Sequence, residues 1–171
     1  MAESKVDVMA DKKVIVSTQL LGMVVLAVLF PLFPLREISG PLVNALLFIA
    51  VVILGVRNAL LICFLPSIIS VSVGILPLVA LPLVPVIILG NVLLVLLFNY
   101  FYKKNFWLGV VTASFVKFIF IYSLATLLVA EFISSPQLAK IVGQTMGYLQ
   151  LISALLGGII AWVFLKFIKR I

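Results

Sequence analysis

Long apolar runs, rather than alternating apolar and polar faces, dominate this chain and limit the solvents in which it can fold. Runs of about 16–25 residues follow one another with little relief from Val14 onward, and a bilayer core about 30 Å thick needs about 20 such residues per helical crossing. Of the 171 residues, 65% are hydrophobic and only 10% are charged, and mean hydropathy is +1.43. Soluble domains have roughly 45–50% apolar and 25% charged residues. Water is a poor solvent for such a surface, and the bilayer is the simpler explanation.

The expected fold is an all-α membrane protein with six transmembrane helices. Residues 1–13 form a polar N-terminal segment, 14–168 the membrane domain and 169–171 a short tail. The first span covers about residues 14–33 and is interrupted by Pro31 and Pro34; it is too long for a signal peptide, lacks the small-residue cleavage pattern, and is read as retained. The second covers about 39–55, with Ser39 as N-cap and Pro41 in the first turn. After a tight turn at 55–58 the third runs to about 76 with a kink at Pro66, forming an antiparallel hairpin with the second. Residues 77–85 carry three prolines and no charge, so they read as an irregular apolar connection before a fourth span over about 86–102. The fifth covers about 106–130, with Trp107 at interfacial depth. A connection over 131–145 contains Ser134, Ser135 and Pro136, a natural start for a short interfacial helix, and the sixth span covers about 146–167.

Basic residues orient this arrangement. Lys5, Lys12, Lys13, Arg57, Lys103, Lys104, Lys166, Lys169 and Arg170 fall on one side, whereas Arg36 and Lys140 fall on the other. The excess predicts that the nine-residue side, with both termini, is cytoplasmic. The same distribution accounts for the net charge of +7 without nucleic acid, because the cations sit at helix ends rather than along a solvated face with interleaved aromatics. The chain has no histidine, which removes Ser-His-Asp and Cys-His catalysis and most zinc sites. It also has no Walker sequence. No enzyme, cofactor or resident metal is expected. The single cysteine, Cys63, lies in an apolar run and reads as a packing residue.

The informative residues are therefore the polar ones inside the spans. Lys117 lies about 11 residues into the fifth span, roughly 16 Å deep, where a lysine costs about 2.5–3.5 kcal/mol. One reading is a cationic contact for an anionic group of a substrate; the other is a lysine that snorkels or bonds a neighbouring helix. The predicted orientation puts Asn44, Asn91, Gln150 and Tyr122 in the outer half as well. Together they suit an apolar cavity with a few directional polar groups, although each amide alone would also serve as interhelical glue. Arg36, Glu37 and Glu131 fall in outer connections, where the readings are a gate or a solvated ion pair, and the solvated one is preferred because surface pairs contribute little. Small residues four apart, Thr18 and Gly22 on the first helix, and Ala154, Gly157, Gly158 and Ala161 on the last, mark either internal packing or docking to another membrane protein.

The segments GVRNALLICFLPSIIS, VPVIILGNVLLVLLFNYFYKKNFWLGVVTASFVKFIFIY and MGYLQLISALLGGIIAWVFLK, in their six-span setting, resemble the substrate-binding S components of energy-coupling factor transporters over about residues 14–168. The resemblance implies a prokaryotic cell-membrane subunit that captures a vitamin-like molecule from outside. It further implies partnership with a transmembrane coupling protein and two ATPase subunits, which would account for the missing Walker sequence. Family members commonly dock through alanines four apart on the first helix. Thr18 and Gly22 occupy the corresponding positions here, and the alanines themselves are absent. Metal-specific relatives use N-terminal histidines, so the resemblance implies an organic substrate rather than nickel or cobalt, and an anionic one where Lys117 contacts it. The implied substrate contacts are Lys117, Asn91, Gln150, Asn44 and Tyr122, beneath outer loops such as 77–85. A membrane scaffold of the cell-shape or cell-wall type and a stand-alone permease are the competing readings.

Overall fold

The computed structural model describes residues 2–33, 35–74, 78–132, 143 and 146–171, with backbone alone for 2–13, 36, 78–80 and 132. These residues form seven α-helices and no strand. The helices are α1 (Ala2–Leu29), α2 (Arg36–Leu54), α3 (Val56–Ile62), α4 (Leu65–Ser72), α5 (Val84–Phe101), α6 (Phe106–Phe132) and α7 (Tyr148–Phe167). Short 3₁₀ stretches occupy Phe30–Leu32 and Leu78–Leu83. Among the described residues five segments are long and apolar enough to cross a membrane: Val14–Leu32, Glu37–Leu54, Leu81–Phe101, Phe106–Glu131 and Tyr148–Phe167. The chain is thus an all-helical protein with the helices of a multi-pass membrane protein. Of the connection over 131–145, residues 131 and 132 continue α6, and the expected start of an interfacial helix at 134–136 lies outside the described residues.

The third expected span departs from the sequence reading. Instead of one kinked helix it is two short ones, within the shorter apolar stretch Val56–Ser72. A proline ring clashes with the carbonyl four residues earlier and offers it no N–H; for Pro66 that carbonyl belongs to Ile62, where α3 ends. The chain tightens there, with Cys63 N donating to Leu60 O at 3.3 Å, before α4 begins at Leu65.

The start of α2 also differs. Leu35, in extended conformation, accepts bonds from the amides of Ile38 and Ser39 at 3.1 and 3.0 Å, so the helix begins before Ser39, which is not its cap. Pro41 therefore lies inside the helix, where its missing N–H leaves the Glu37 carbonyl without a helical donor. By contrast, α6 has a side-chain cap: Asn105 Oδ1 accepts from Leu108 N at 3.1 Å.

Close helix approach depends on glycine at a few points. A Cβ on Gly157 of α7 would lie 2.7–2.8 Å from Asn44 Cβ, Ala45 N and Pro41 O of α2, so only glycine allows these two backbones to meet. Ala154, Gly157, Gly158 and Ala161 are all buried, and Gly158 faces Val110 of α6. The small-residue face of the last helix is therefore an internal packing surface. Helices α5 and α6 form the other closely packed pair, with Gly90 against Ile121 and Gly109 against Phe98 and Tyr102.

Packing density divides the bundle along its length. Leu47, Phe48, Val51, Ile62, Leu94, Phe98, Val110 and Ala161 belong to one apolar core, and the Phe48 and Phe98 rings meet edge to face at 4.6 Å. These residues come from the later parts of α2, α5 and α7, from α3, and from the early part of α6. That end of the bundle is the one that carries Arg57, Lys103 and Lys104 in the sequence. The opposite half holds a cavity beside a smaller apolar cluster of Leu83, Val86, Ile121, Ala125 and Met146.

Candidate functional site

The cavity has a volume of about 290 Å³ and is lined by α2, α4, α5, α6 and α7. Helical spacing explains why α2 contributes what it does. Glu37, Gly40, Pro41 and Asn44 all line the cavity, and their i, i+3, i+4, i+7 spacing puts them on one face. Gln150 and Ser153 of α7 and Ser67 and Ser70 of α4 repeat the i, i+3 spacing on their own helices. Ile87, Leu149, Ile152 and Leu156 make the rest of the wall largely apolar.

Lys117 is a lining residue although it is only 3% exposed. Its Nζ donates to Asn44 Oδ1 at 2.6 Å and to Asn91 Oδ1 at 2.8 Å. Two amide oxygens thus direct their negative ends at one ammonium, which helps offset the cost of holding it at this depth. Asn44 is held in turn, because its Nδ2 donates to Gly40 O at 3.0 Å and to Ser153 Oγ at 2.8 Å. One asparagine therefore joins α2, α6 and α7, and Lys117 extends the network to α5. No carboxylate pairs with Lys117 among the described residues.

An ammonium has three N–H donors and these bonds use two. The third has no partner among the described residues, and neither has the amide nitrogen of Asn91. Ser67, 4% exposed and on the cavity wall, has a hydroxyl with no hydrogen-bond partner among the described residues. Buried polar groups are normally bonded. This clustering of unused donors around one cavity is the chemical signature of the site.

Four of the five sequence-selected contacts, Lys117, Asn91, Asn44 and Gln150, line this cavity together. Gln150 Nε2 lies 3.9 Å from Met146 Sδ. Tyr122 does not join them: it is 46% exposed, stacks on Phe118 and lines a separate depression of about 160 Å³ with Ala125, Thr126 and Val129. It stands five residues, well over one turn, beyond Lys117, which turns it away from the face of α6 that meets α2 and α5. The described part of the 77–85 connection does not line the cavity; Leu83 packs with Val86, Ile121 and Ala125. Ser67, Ser70, Ser153 and Glu37 were not chosen from sequence. Their helical spacing was the available signal, but serines are ordinary in apolar helices and Glu37 reads as solvated.

Thr18 and Gly22 lie on the outside of α1. Both are exposed, Thr18 Oγ1 bonds only to Val14 O of its own helix at 3.0 Å, and a Cβ on Gly22 would meet nothing within 4 Å. Neither residue is used in internal packing. A scan of family models and searches of curated proteins and of solved structures match nothing to this chain.

Proposed function

We propose that this chain is a membrane-embedded binding subunit that captures a small organic anion from the outer side. The observation that carries the reading is Lys117, a buried cation held by two asparagine oxygens on the wall of a cavity of about 290 Å³. A lysine at bilayer depth is costly, and its position beside unused donors gives that cost a purpose. In the proposed topology α3 and α4 together make the sixth crossing. Val56–Ser72 would extend about 25 Å as a continuous helix at 1.5 Å per residue, near the lower limit for a span. The positive-inside rule then puts both termini and the densely packed half in the cytoplasm, and opens the cavity outward.

Within this reading the chain serves as the S component of an energy-coupling factor importer in a prokaryotic cell membrane. A coupling protein and two ATPases supply the energy that the chain itself cannot. Support comes from the resemblance in length and span pattern, and from the outward Thr18 and Gly22 face, which remains available for docking. Small molecules released from gently purified protein, identified by mass spectrometry, test the proposal. The expected result is an organic anion near one per chain in the native protein and its loss in Lys117→Met. Equal retention by Lys117→Met would refute the charge contact, and repeated absence of any ligand would favour the scaffold.

A further inference from the structure

Resting on that reading, we infer that the site is built for a singly charged carboxylate and discriminates against phosphate esters and other dianions. Three observations define the class. The first is donor number. Lys117 has one N–H left after bonding Asn44 and Asn91, and Asn91 Nδ2 is unused among the described residues. The Ser67 hydroxyl is likewise unpartnered among those residues. Lys117 and Asn91, on two adjacent helices, thus offer one unused donor group each to the two oxygens of one carboxylate, with Ser67 on the same wall. A phosphate has three acceptor oxygens and usually draws on a nest of backbone N–H groups or an arginine fork.

The second is charge. Among the described lining residues Lys117 is the only cation, and Glu37 is the only acid. A monoanion beside Lys117 leaves the apolar interior neutral. A phosphate monoester carries about −1.5 to −2 at neutral pH, so one lysine would leave charge uncompensated in a medium where that is expensive. Glu37 adds to the discrimination. It is seven residues from Asn44 on the same face of α2, about 10 Å further along the helix, and it lines the same cavity, where its negative charge disfavours a second charge on the ligand.

The third is size. A cavity of about 290 Å³ lies at the small end of the roughly 300–1,000 Å³ usual for ligand sites, room for one compact molecule. The wall also includes Ile87, Leu149 and Ile152, which suit an apolar body of one ring or a short chain.

Benzoate, benzamide and phenyl phosphate share that body and differ in the group offered to Lys117. Their binding is to be measured by isothermal titration calorimetry at neutral pH on the full chain in nanodiscs of uncharged lipid, with folding of each variant checked by thermal unfolding. Benzoate is expected to bind about tenfold tighter than benzamide, the difference between a charged and a neutral hydrogen bond, and at least about tenfold tighter than phenyl phosphate. Lys117→Gln should reduce the benzoate preference over benzamide to within about twofold. Ser67→Ala, at a hydroxyl with no hydrogen-bond partner among the described residues, should weaken benzoate about threefold without lowering the unfolding temperature.

Phenyl phosphate binding as tightly as benzoate, with both dependent on Lys117, would overturn the carboxylate inference while the anion-binding reading stands. Benzamide binding as tightly as benzoate, or a benzoate preference that survives Lys117→Gln, would overturn the anion-binding reading itself. No binding of any probe at millimolar concentration would overturn both.

Discussion

A buried ammonium is tolerable only while its neighbours are arranged around it, and Asn44 carries much of that arrangement. Its oxygen accepts from Lys117 and its nitrogen donates to Gly40 and Ser153. Asn44→Leu should therefore cost about 2–3 kcal/mol, the range for losing bonds to a charged group, read as a lowered unfolding midpoint in detergent. Combined with Lys117→Met the loss should be smaller than the sum of the two single changes by about 1.5 kcal/mol or more, since the orphaned charge is then gone. Strict additivity would show that the pair is not coupled. Ser114 offers a control: it is buried with no hydrogen-bond partner among the described residues and is not part of the cavity wall. Ser114→Ala should stabilise the protein by up to about 1 kcal/mol, because it removes an unsatisfied hydroxyl. At this scale the sequence was legible where chemistry is rare. A lysine and three amides in apolar runs stand out by type alone, and they do line one cavity. Tyr122 was grouped with them by depth, but depth without the angular position around α6 does not place a side chain. Ser67 and Ser153 carry too little signal in apolar helices to be selected before their neighbours are known.

Helix pairing depends on where a backbone can approach another, and the glycines of α1 and α7 differ sharply in this respect. Gly157→Leu would drive its side chain into the α2 backbone at Pro41 and Ala45. A loss of about 1–3 kcal/mol is expected from such overpacking, together with weaker ligand binding, because Asn44 sits at the same contact. Gly22→Leu meets open space and should leave the isolated chain as stable as before or up to about 1 kcal/mol more so, glycine being a poor helix former. In the proposed transporter the same substitution should reduce recovery of the coupling partner by at least about tenfold, measured by co-purification. Undiminished recovery would remove Gly22 from the docking surface. The GxxxG-like spacing visible in the sequence could not distinguish these two roles, since packing inside a bundle and docking between proteins use the same small residues. The sequence also located the disturbance at Pro66 but not its extent. A proline kink and a full break differ in whether the turn before it can close, and here α3 ends at Ile62 and α4 starts at Leu65. Pro66→Ala restores the donor for the Ile62 carbonyl and should join the two helices, seen as increased helicity by circular dichroism.

The molecule as a whole is a bundle with its larger apolar core in one half and a cavity beside a smaller cluster in the other, and the Lys117 network lies on the wall of that cavity. Phe48, Phe98 and their neighbours fill the half nearest Arg57, Lys103 and Lys104, whereas the cavity occupies the other. Hydropathy revealed the helices, because bilayer thickness imposes their length, but it does not show which half is hollow. That property arises from which side chains face one another across α2, α5 and α7. The proposed orientation converts this asymmetry into function, with the cavity half facing outward. Ser70 is a suitable reporter, since it lines the cavity and is partly exposed, with its hydroxyl bonded only to Pro66 O of its own helix at 2.7 Å. The decisive measurement is labelling of Ser70→Cys, in a Cys63→Ala background, by a membrane-impermeant maleimide. It should proceed in right-side-out vesicles and be slowed at least about fivefold by saturating benzoate; labelling confined to inverted vesicles, or unaffected by benzoate, would contradict an outward-facing anion site.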